Sequence, residues 1–337
     1  MSKTRVAVIF GGQSTEHEVS LLSAKAVIDN LDKSKFQIIP IKITKDNIWQ
    51  DEHGKAVNPM SLPTLCDIAF PVLHGPYGED GTIQGMLELM HLPYVGCGVA
   101  ASAVCMDKVL QKNICRDYQI PVAPFFWLTV GDWTTHQDET LDHILGRFDN
   151  TYPLFVKPVN QGSSVGVTKA HNKKELQAGI ELALTRDTRV IVEMGVPNTR
   201  EIECSVLGNH DPKVSVLGEI IPGNEFYDYN AKYIDNNSTP IIPANLPVAL
   251  TDKIRGTAKL AFQVLDCSGM ARADFLVNSK TSEYYLNELN TIPGFTPISM
   301  YPKLWEASGL SYQDLLTKLI ELGLDRHETR AKLNLNL

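Results

Sequence analysis

Apolar residues in the first hundred positions come as short continuous runs separated by stretches with helical spacing. Positions 6–10 are apolar without interruption, as in a strand buried on both faces of a parallel sheet. Gly11-Gly12-Gln13-Ser14 then turns the chain into a helix, where Thr15 followed three residues later by Glu18 reads as a capping box. The pattern predicts strands again at 36–43 and 68–73, and a helix from about Thr82 with Ile83, Met86, Leu87 and Met90 on one face. This alternation is that of a βαβ nucleotide-fold module. After Tyr94-Val95-Gly96-Cys97-Gly98, the spacing of Met106, Val109 and Leu110 predicts one helix with Lys108 off its apolar stripe.

Beyond this point the order of elements changes. A strand at 154–159, the loop Gln161-Gly162-Ser163-Ser164-Val165-Gly166, a helix near 174–184 and a strand at 190–194 form a second group. From Arg200 the pattern is mostly strand, at 202–207 and 214–221, followed by a polar, aromatic stretch at 224–245 with weak periodicity. A segment that long in a compact domain is normally functional, a lid for example. A helix at 252–265 leads to strands at 271–277 and 284–290, and the polar stretch past Leu324 is expected to fray.

At 337 residues the chain has room for two or three domains of ordinary size. Its 43% hydrophobic and 21% charged residues exclude disordered and fibrous classes. Thirty-one Lys and Arg against 39 Asp and Glu leave a net charge of -8, which argues against nucleic-acid or anionic-membrane partners. An anionic ligand must therefore be held by a local basic cluster. The apolar run at 6–10 is too short for a signal peptide, and no run approaches a membrane span. Six cysteines without a C-x-x-C pair read as buried, reduced thiols of a cytoplasmic protein rather than a catalytic thiol.

Four constellations carry candidate chemistry. In Leu286-Asn287-Glu288-Leu289-Asn290 a period-two strand puts Glu288 and Asn290 on one face, and the same rule joins Arg272 with Asp274. Two carboxylates and an amide oxygen from adjacent strands suit magnesium; the alternative is a surface salt bridge from Arg272 to either acid. The loop from Gly162 to Gly166 follows a strand bearing Lys157, so its small residues let backbone N–H groups approach a phosphate, unless it is only a turn. It matches neither the Walker pattern nor G-x-G-x-x-G. Glu16 stands where a buried strand opens into a helix and either holds a cationic group or complements the helix dipole. His74-Gly75-Pro76-Tyr77-Gly78-Glu79-Asp80-Gly81 is too glycine-rich for a regular element and reads as a loop shaped around something.

Taken together, six segments resemble the D-alanine–D-alanine ligase family of the ATP-grasp superfamily: GGQSTEHEVS from Gly11, LHGPYGEDGTIQG from Leu73, FVKPVNQGSSVGV from Phe155, EFYDYNAKY from Glu225, GMARADF from Gly269 and NELNTIPGFTPISMYP from Asn287. They run in the family's order across nearly the whole chain. The resemblance implies an α/β ATP-grasp fold with an N-terminal open parallel-sheet domain at 1–97, a central ATP-grasp domain at 98–197, and a C-terminal one at 198–337 with a lid loop at 224–245. It implies ATP-dependent ligation of two D-alanine molecules through a D-alanyl phosphate, for peptidoglycan precursor synthesis, with ATP and two magnesium ions (manganese substituting) as cofactors. A cytoplasmic homodimer is also implied.

Carried over by position, Glu16 grips the first D-alanine's ammonium and His74 neighbours that subsite. Lys108 and Lys157 reach the ATP phosphates, with Ser163, Ser164 and Val165 in the loop folding over them. Glu193 and Glu201 meet adenine and ribose. Lys232 reaches the γ-phosphate, and Tyr233 closes over the dipeptide site with Ser163 and Glu16. Arg272 stabilises the acyl phosphate and the tetrahedral intermediate; Asp274, Glu288 and Asn290 hold the metal ions. The Gly294 N–H helps form an oxyanion hole, while Ser299 and Met300 receive the second carboxylate. One departure is visible: the hinge at 194–200 has no tryptophan where some members carry one.

Two rival readings remain at this point. A D-alanyl-D-lactate ligase of the same superfamily lacks the lid Lys-Tyr pair in the vancomycin-resistance enzymes, whereas Lys232-Tyr233 is intact here. A non-catalytic nucleotide-binding module would be expected to have lost a metal ligand or the arginine, and all are present.

Overall fold

A computed structural model of the chain describes residues 3–221 and 239–333. Lys232 and Tyr233, with most of the expected lid, lie outside the described residues. The described strands form three sheets. The first has the order β3-β2-β1-β4, from β1 (Thr4–Gly11), β2 (Phe36–Ile43), β3 (Trp49–Gln50) and β4 (Ile68–Val72). β1 is central and parallel to both β2 and β4, and β3 is an antiparallel edge. The unbroken apolar run of β1 is explained by its two faces. Val6 and Val8 enter one core with Phe70 and Val72, whereas Ala7 and Ile9 enter another with Ile41, Ile43 and Leu73.

α1 (His17–Asn30) starts later than the sequence indicates, and the Thr15–Glu18 capping box does not form. Glu16 occupies the N-cap position without capping, because its carboxylate is bonded to the Ser163 hydroxyl, and Glu18 instead pairs with Lys45 at 2.9 Å. α2 (Leu62–Leu65) is a single short turn before β4, and α3 (Thr82–Leu89) buries Ile83 and Leu87 as its spacing indicates. The helix expected around Met106 is two helices, α4 (Val99–Met106) and α5 (Lys108–Asp117). Asp107 interrupts them in an extended conformation, its carboxylate accepting from the Val109 and Leu110 N–H groups. A good N-cap outweighs continuous spacing here, and Leu110 ends up 46% exposed.

The second sheet, β5-β8-β6-β7, is antiparallel and is built from β5 (Phe125–Thr129), β6 (Leu154–Pro158), β7 (Thr168–Ala170) and β8 (Arg189–Met194). α6 (Val130–Thr135), α7 (Gln137–Arg147) and α8 (Lys173–Leu184) supply its core through Trp133, Leu141, Ile144, Leu176 and Ile180. The third sheet, β11-β10-β9-β12-β13, is also antiparallel: β9 (Thr199–Gly208), β10 (Lys213–Ile221), β11 (Thr239–Ile241), β12 (Gly269–Asn278) and β13 (Tyr284–Asn290). Its apolar face carries Ile202, Cys204, Ala273, Phe275 and Leu289. That face packs against α9 (Val248–Val264) and also against Ala101 and Cys105 of α4 and Cys115 of α5.

The C-terminal stretch does not fray at Leu324. After α10 (Met300–Ala307), α11 (Tyr312–Ala331) runs back to the first sheet, placing Leu315, Leu316, Leu319 and Ile320 against Val6, Val8 and Phe70. Its polar end is held by side chains rather than by burial: Arg326 lies 4.1 Å over the Tyr94 ring and donates to the Gly96 carbonyl, and Arg330 pairs with Glu88 at 2.5 Å. None of the described helices is long and apolar enough to cross a membrane.

Leu319 is fully buried in this docking face. Leu319→Ala should lower the unfolding free energy by about 2–5 kcal/mol, the usual cost of a truncated core leucine. Urea titration of both proteins measures it, and a loss within error of zero would mean that α11 docks only weakly.

Candidate active site

The third sheet presents its other face to solvent-accessible space, and the strand register decides what stands there. Asp274 lies opposite Glu203 on β9 and Glu288 on β13, and Arg272 lies opposite Ser205 and Asn290. Directly opposed residues in an antiparallel pair point to the same side. Three carboxylates therefore form a row across three strands. Arg272 compensates them: its Nε and a terminal nitrogen donate to the two Asp274 oxygens at 2.7 Å each, and Nε lies 3.1 Å from Glu203. Burial works against this cation, but Asp274 and Glu203 outweigh it and hold Arg272 well above its usual range. The pairing is thus largely buried, not the surface salt bridge considered as the alternative.

Two cavities meet over this face among the described residues. One of about 330 Å³ is lined by Glu16, His74, Arg272, Asn290, Gly294, Ser299 and Met300. The other, about 410 Å³, lies between the second and third sheets and is lined by Lys157, Ser164, Glu193 and Glu201. Lys108, Gly162, Ser163 and Glu288 line both. Of the residues singled out in the sequence, Asp274 and Val165 line neither cavity. Asp274 is turned to Arg272, and the Val165 N–H closes a turn onto the Gly162 carbonyl at 3.1 Å.

Glu16 reaches the junction because two loops leave room for it. A Cβ on Gly75 would come within 2.5 Å of its carboxylate, and one on Gly162 within 2.7 Å. Ser163 and Ser164 take positive φ, 47° and 58°, at some cost for residues with a side chain. The Ser163 hydroxyl, donating to Glu16, helps hold that conformation. His74 has both ring nitrogens engaged. Its Nδ1 donates to the Ile292 carbonyl at 3.0 Å, which leaves Nε2 to accept from the Ser23 hydroxyl at 3.0 Å. Burial pushes it down to about 4, so it is neutral and ties the first sheet to the segment after β13.

The larger cavity holds its lysines differently. Lys157 pairs with Glu193 at 2.6 Å, and the fully buried Lys112 pairs with the same carboxylate at 2.9 Å. Burial alone would push Glu193 up, but the two lysines hold it down at about 2. Burial likewise opposes the Lys157 charge, yet Glu193 raises its pKa above the ordinary value. The Lys108 ammonium donates to the Gln161 carbonyl at 2.6 Å, and burial lowers its pKa.

The donor set beside these cavities fits a hard divalent cation. Asn290 Oδ1 is buried without a hydrogen-bond partner among the described residues, an arrangement that costs free energy unless something fills it. Among the described residues no group of three or more His, Cys, Asp or Glu is arranged to hold a metal by itself. Magnesium does not need one, since it takes one or two carboxylates and completes its shell with water and phosphate oxygens.

Sequence reasoning missed Glu203, Lys112 and Glu79. The first was legible, because Glu201, Glu203 and Ser205 alternate along β9 as Arg272 and Asp274 do along β12. Lys112 had no signal, since it lies on a helix whose partner strand is eighty residues away. Glu79 was inside the glycine-rich loop but was given no role. It is buried in the smaller cavity, with Oε2 accepting from the Gly75 N–H at 2.7 Å and Oε1 from the Ile292 N–H at 3.1 Å.

Comparison with known proteins gives a consistent picture. A family model described as D-ala D-ala ligase C-terminus matches residues 114–321, and one described as D-ala D-ala ligase N-terminus matches 5–64 and 50–97. The chain is 47% identical over 363 residues to the D-alanine--D-alanine ligase of Thermoanaerobacter sp. (strain X514), covering 98% of this chain and 99% of that protein. It is similar to the structure of the D-alanine-D-alanine ligase from Coxiella burnetii, with a TM-score of 0.85 and 39% identity over 98% of this chain and 97% of that one. It is also similar to the VanG D-Ala:D-Ser ligase from Enterococcus faecalis, with a TM-score of 0.85 and 38% identity over 96% and 100%.

Glu79 gives the site a pH signature. Burial, and then the neighbouring Glu16 carboxylate, push it up to about 8. The folded state therefore keeps a proton that the unfolded chain has lost, and Glu79 withdraws stability as pH rises from about 5 toward 8. Glu79→Gln removes the titration at the cost of one hydrogen bond. In thermal melts between about pH 5 and pH 8.5, the variant should gain on the parent as pH rises, while His74, whose effect on stability runs from about pH 4 to the ordinary imidazole range, contributes equally to both. Parallel curves would place the Glu79 carboxyl in its ordinary range.

Proposed function

The chain belongs to the D-alanine–D-alanine ligase family, and from that premise we propose that it joins two D-alanine molecules to D-alanyl-D-alanine, using ATP and a D-alanyl phosphate intermediate, for peptidoglycan precursors. The observation that carries the reading is the junction of the two cavities at Lys108, Ser163 and Glu288, beside Arg272 and the unpartnered Asn290 oxygen. A nucleotide in the larger cavity would end its phosphate chain where the smaller one begins.

Phosphoryl transfer needs positioning and charge neutralisation more than covalent catalysis. Glu193 and Glu201 face adenine and ribose, although both Glu193 oxygens already engage lysines, so its adenine contact is shared with them. Lys108 and Lys157 neutralise phosphate oxygens, and the Ser163-Ser164-Val165 turn brings backbone N–H groups over them. Glu288 and Asn290, with Asp274 beside them, whose oxygens also accept from Arg272, would hold two magnesium ions, replaceable by manganese, which would screen charge on the nucleotide phosphates. Glu16 holds the first ammonium, with neutral His74 fixing the loop around it. Arg272 keeps its charge and stabilises first the acyl phosphate and then the tetrahedral intermediate, aided by the Gly294 N–H. A Cβ at Gly294 would lie 2.7 Å from Ser299 Oγ and force that hydroxyl to move. Ser299, oriented by Thr296 at 2.8 Å, and Met300 receive the second carboxylate. To Lys232 and Tyr233, which lie outside the described residues, the family resemblance assigns the roles of γ-phosphate contact and dipeptide-site tyrosine. All six cysteines are free thiols, which supports a cytoplasmic enzyme; its quaternary state is a homodimer, testable by sedimentation.

ADP release should require D-alanine, and the product with ATP and magnesium should be D-alanyl-D-alanine even with D-lactate or D-serine supplied as competing acceptors. Nucleotide hydrolysis indifferent to D-alanine would overturn the reading. Glu288→Gln, which removes a carboxylate between nucleotide and substrate, should reduce turnover by at least about a hundredfold with the fold intact. Near-normal turnover at ordinary magnesium would make the metal assignment wrong.

A further inference from the structure

Three thiols that the ligation does not use converge where the first sheet hands over to the third. Cys97 lies in the segment between α3 and α4, Cys105 lies in α4, and Cys267 lies in the turn between α9 and β12; all three are buried. The Cys105 and Cys267 sulfurs are 3.7 Å apart although 162 residues separate them in sequence. Cys97 hydrogen-bonds to Cys267, and its sulfur also lies 3.4 and 3.5 Å from the Ser268 and Met270 carbonyls. Buried cysteines are usually inert fillers. This group differs in one respect: Cys105 lines the 330 Å³ cavity beside Met106. A small solute in the substrate cavity thus comes up against one residue of a pair that is otherwise enclosed. Metal binding is disfavoured, since among the described residues no such group is arranged to hold an ion.

We propose that Cys105 and Cys267 form a reversible disulfide: an oxidant of the peroxide class enters through the empty substrate cavity, oxidises Cys105, and the resulting crosslink to Cys267 stops ligation until a thiol reductant opens it. The Cys105 sulfur attacks the peroxide O–O bond, becoming a sulfenic acid and releasing one water. The Cys267 sulfur then displaces the hydroxyl, which leaves as a second water. Two electrons and two protons pass from the sulfur pair, and the peroxide is reduced to two waters. Burial, with Cys105 and Cys97 beside it, keeps Cys267 well above the ordinary thiol range, and its proton leaves with the displaced hydroxyl as the second water.

The crosslink reaches the active site through a short path. A disulfide is about 2.05 Å long, so closing the pair draws the sulfurs together by more than an ångström. The Cys105 carbonyl accepts from the Gln111 amide at 2.9 Å, and the same amide donates to the Leu289 carbonyl at 3.3 Å, between Glu288 and Asn290. Two residues beyond Cys105, Asp107 caps the helix that begins with Lys108. Displacing α4 therefore moves the cavity wall, the β13 backbone and Lys108 together. Displacements of this size in a positioned site commonly cost about a hundredfold in rate.

The crosslink is independent of the proposed reaction, and only its inhibitory effect rests on that reading. Reduced enzyme is treated with hydrogen peroxide, split for peptide mapping under non-reducing conditions, and assayed before and after dithiothreitol. The expected result is a Cys105–Cys267 peptide, at least about a tenfold loss of turnover, and recovery on reduction. D-alanine with ADP and magnesium should slow formation of that peptide by filling the cavity. Cys267→Ala, which leaves the cavity lining intact, should resist inactivation, while Cys66→Ala should behave as the parent. Mapping of the unmutated enzyme decides the matter if Cys267→Ala fails to fold. A different cysteine pair, no crosslink, or equal inactivation of Cys267→Ala overturns the proposal. A mapped crosslink without loss of turnover overturns the inhibitory part alone.

Discussion

Arg272 is the interaction on which the rest of the site depends. Its strand neighbours place Glu203, Asp274 and Glu288 in one row, and a row of partly buried like charges is unfavourable without a cation among them. The guanidinium's planar fork spans Asp274 at two points and still reaches Glu203, which a lysine's single ammonium does not do. Removing it would leave uncompensated carboxylates, commonly a cost of about 3–5 kcal/mol. The same cation lines the smaller cavity beside the junction. Stability and chemistry therefore draw on one residue, and variants at Arg272 would confound the two.

The sheet's other face makes this arrangement tolerable. Ala273, Phe275 and Leu289 alternate with the charged residues and bury themselves under α9 and α4. The strands are thus anchored by an apolar layer that does not titrate. α4 belongs to that layer although it precedes the second sheet in the chain, and so does Cys115 of α5, which fixes Lys108, the first residue of α5, beside the third sheet. Its ammonium meanwhile bonds to Gln161, in the loop that follows β6 of the second sheet. The seam between the sheets is therefore bridged by polar contacts, and the cavities occupy that seam.

Much of this was legible in sequence, for a definite physical reason. Strands have a period of two, so the face shared by Arg272 and Asp274, and that shared by Glu288 and Asn290, follow from spacing alone. The parallel first sheet followed from apolar runs too continuous for a half-exposed strand. What spacing does not contain is competition between a side chain's possible partners. Thr15 and Glu18 have the form of a capping box, yet Glu16 is committed to Ser163 and Glu18 to Lys45. Asp107 breaks an apolar stripe that looks continuous, because capping the next helix and pairing with Arg189 satisfy it better than a helix interior would. α11 persists past Leu324 because Arg326 and Arg330 find Tyr94, Gly96 and Glu88, more than two hundred residues away. Those partners are long-range, and no local window sees them.

The balance of charge at the junction also constrains how ligands arrive. Among the described residues lining the two cavities, Lys108, Lys157, Lys169, Arg272 and Lys303 stand against Glu16, Glu79, Glu193, Glu201, Glu203 and Glu288, so cations hold no excess around the space a triphosphate would enter. Two of those cations are already spoken for, Lys157 by Glu193 and Arg272 by Asp274. A polyanion entering alone would meet like charge at Glu288 in a partly desolvated wall, where such repulsion is larger than in water. Divalent cations convert that repulsion into attraction, and by linkage the nucleotide must strengthen cation binding by the factor by which the cation strengthens nucleotide binding. The unpartnered Asn290 oxygen points the same way, since it gains a partner only when the hard-ion site fills. On the proposed reading the acidic row would make nucleotide and metal one ligand energetically, and Arg272 would set how much of that row's charge is left for them to neutralise.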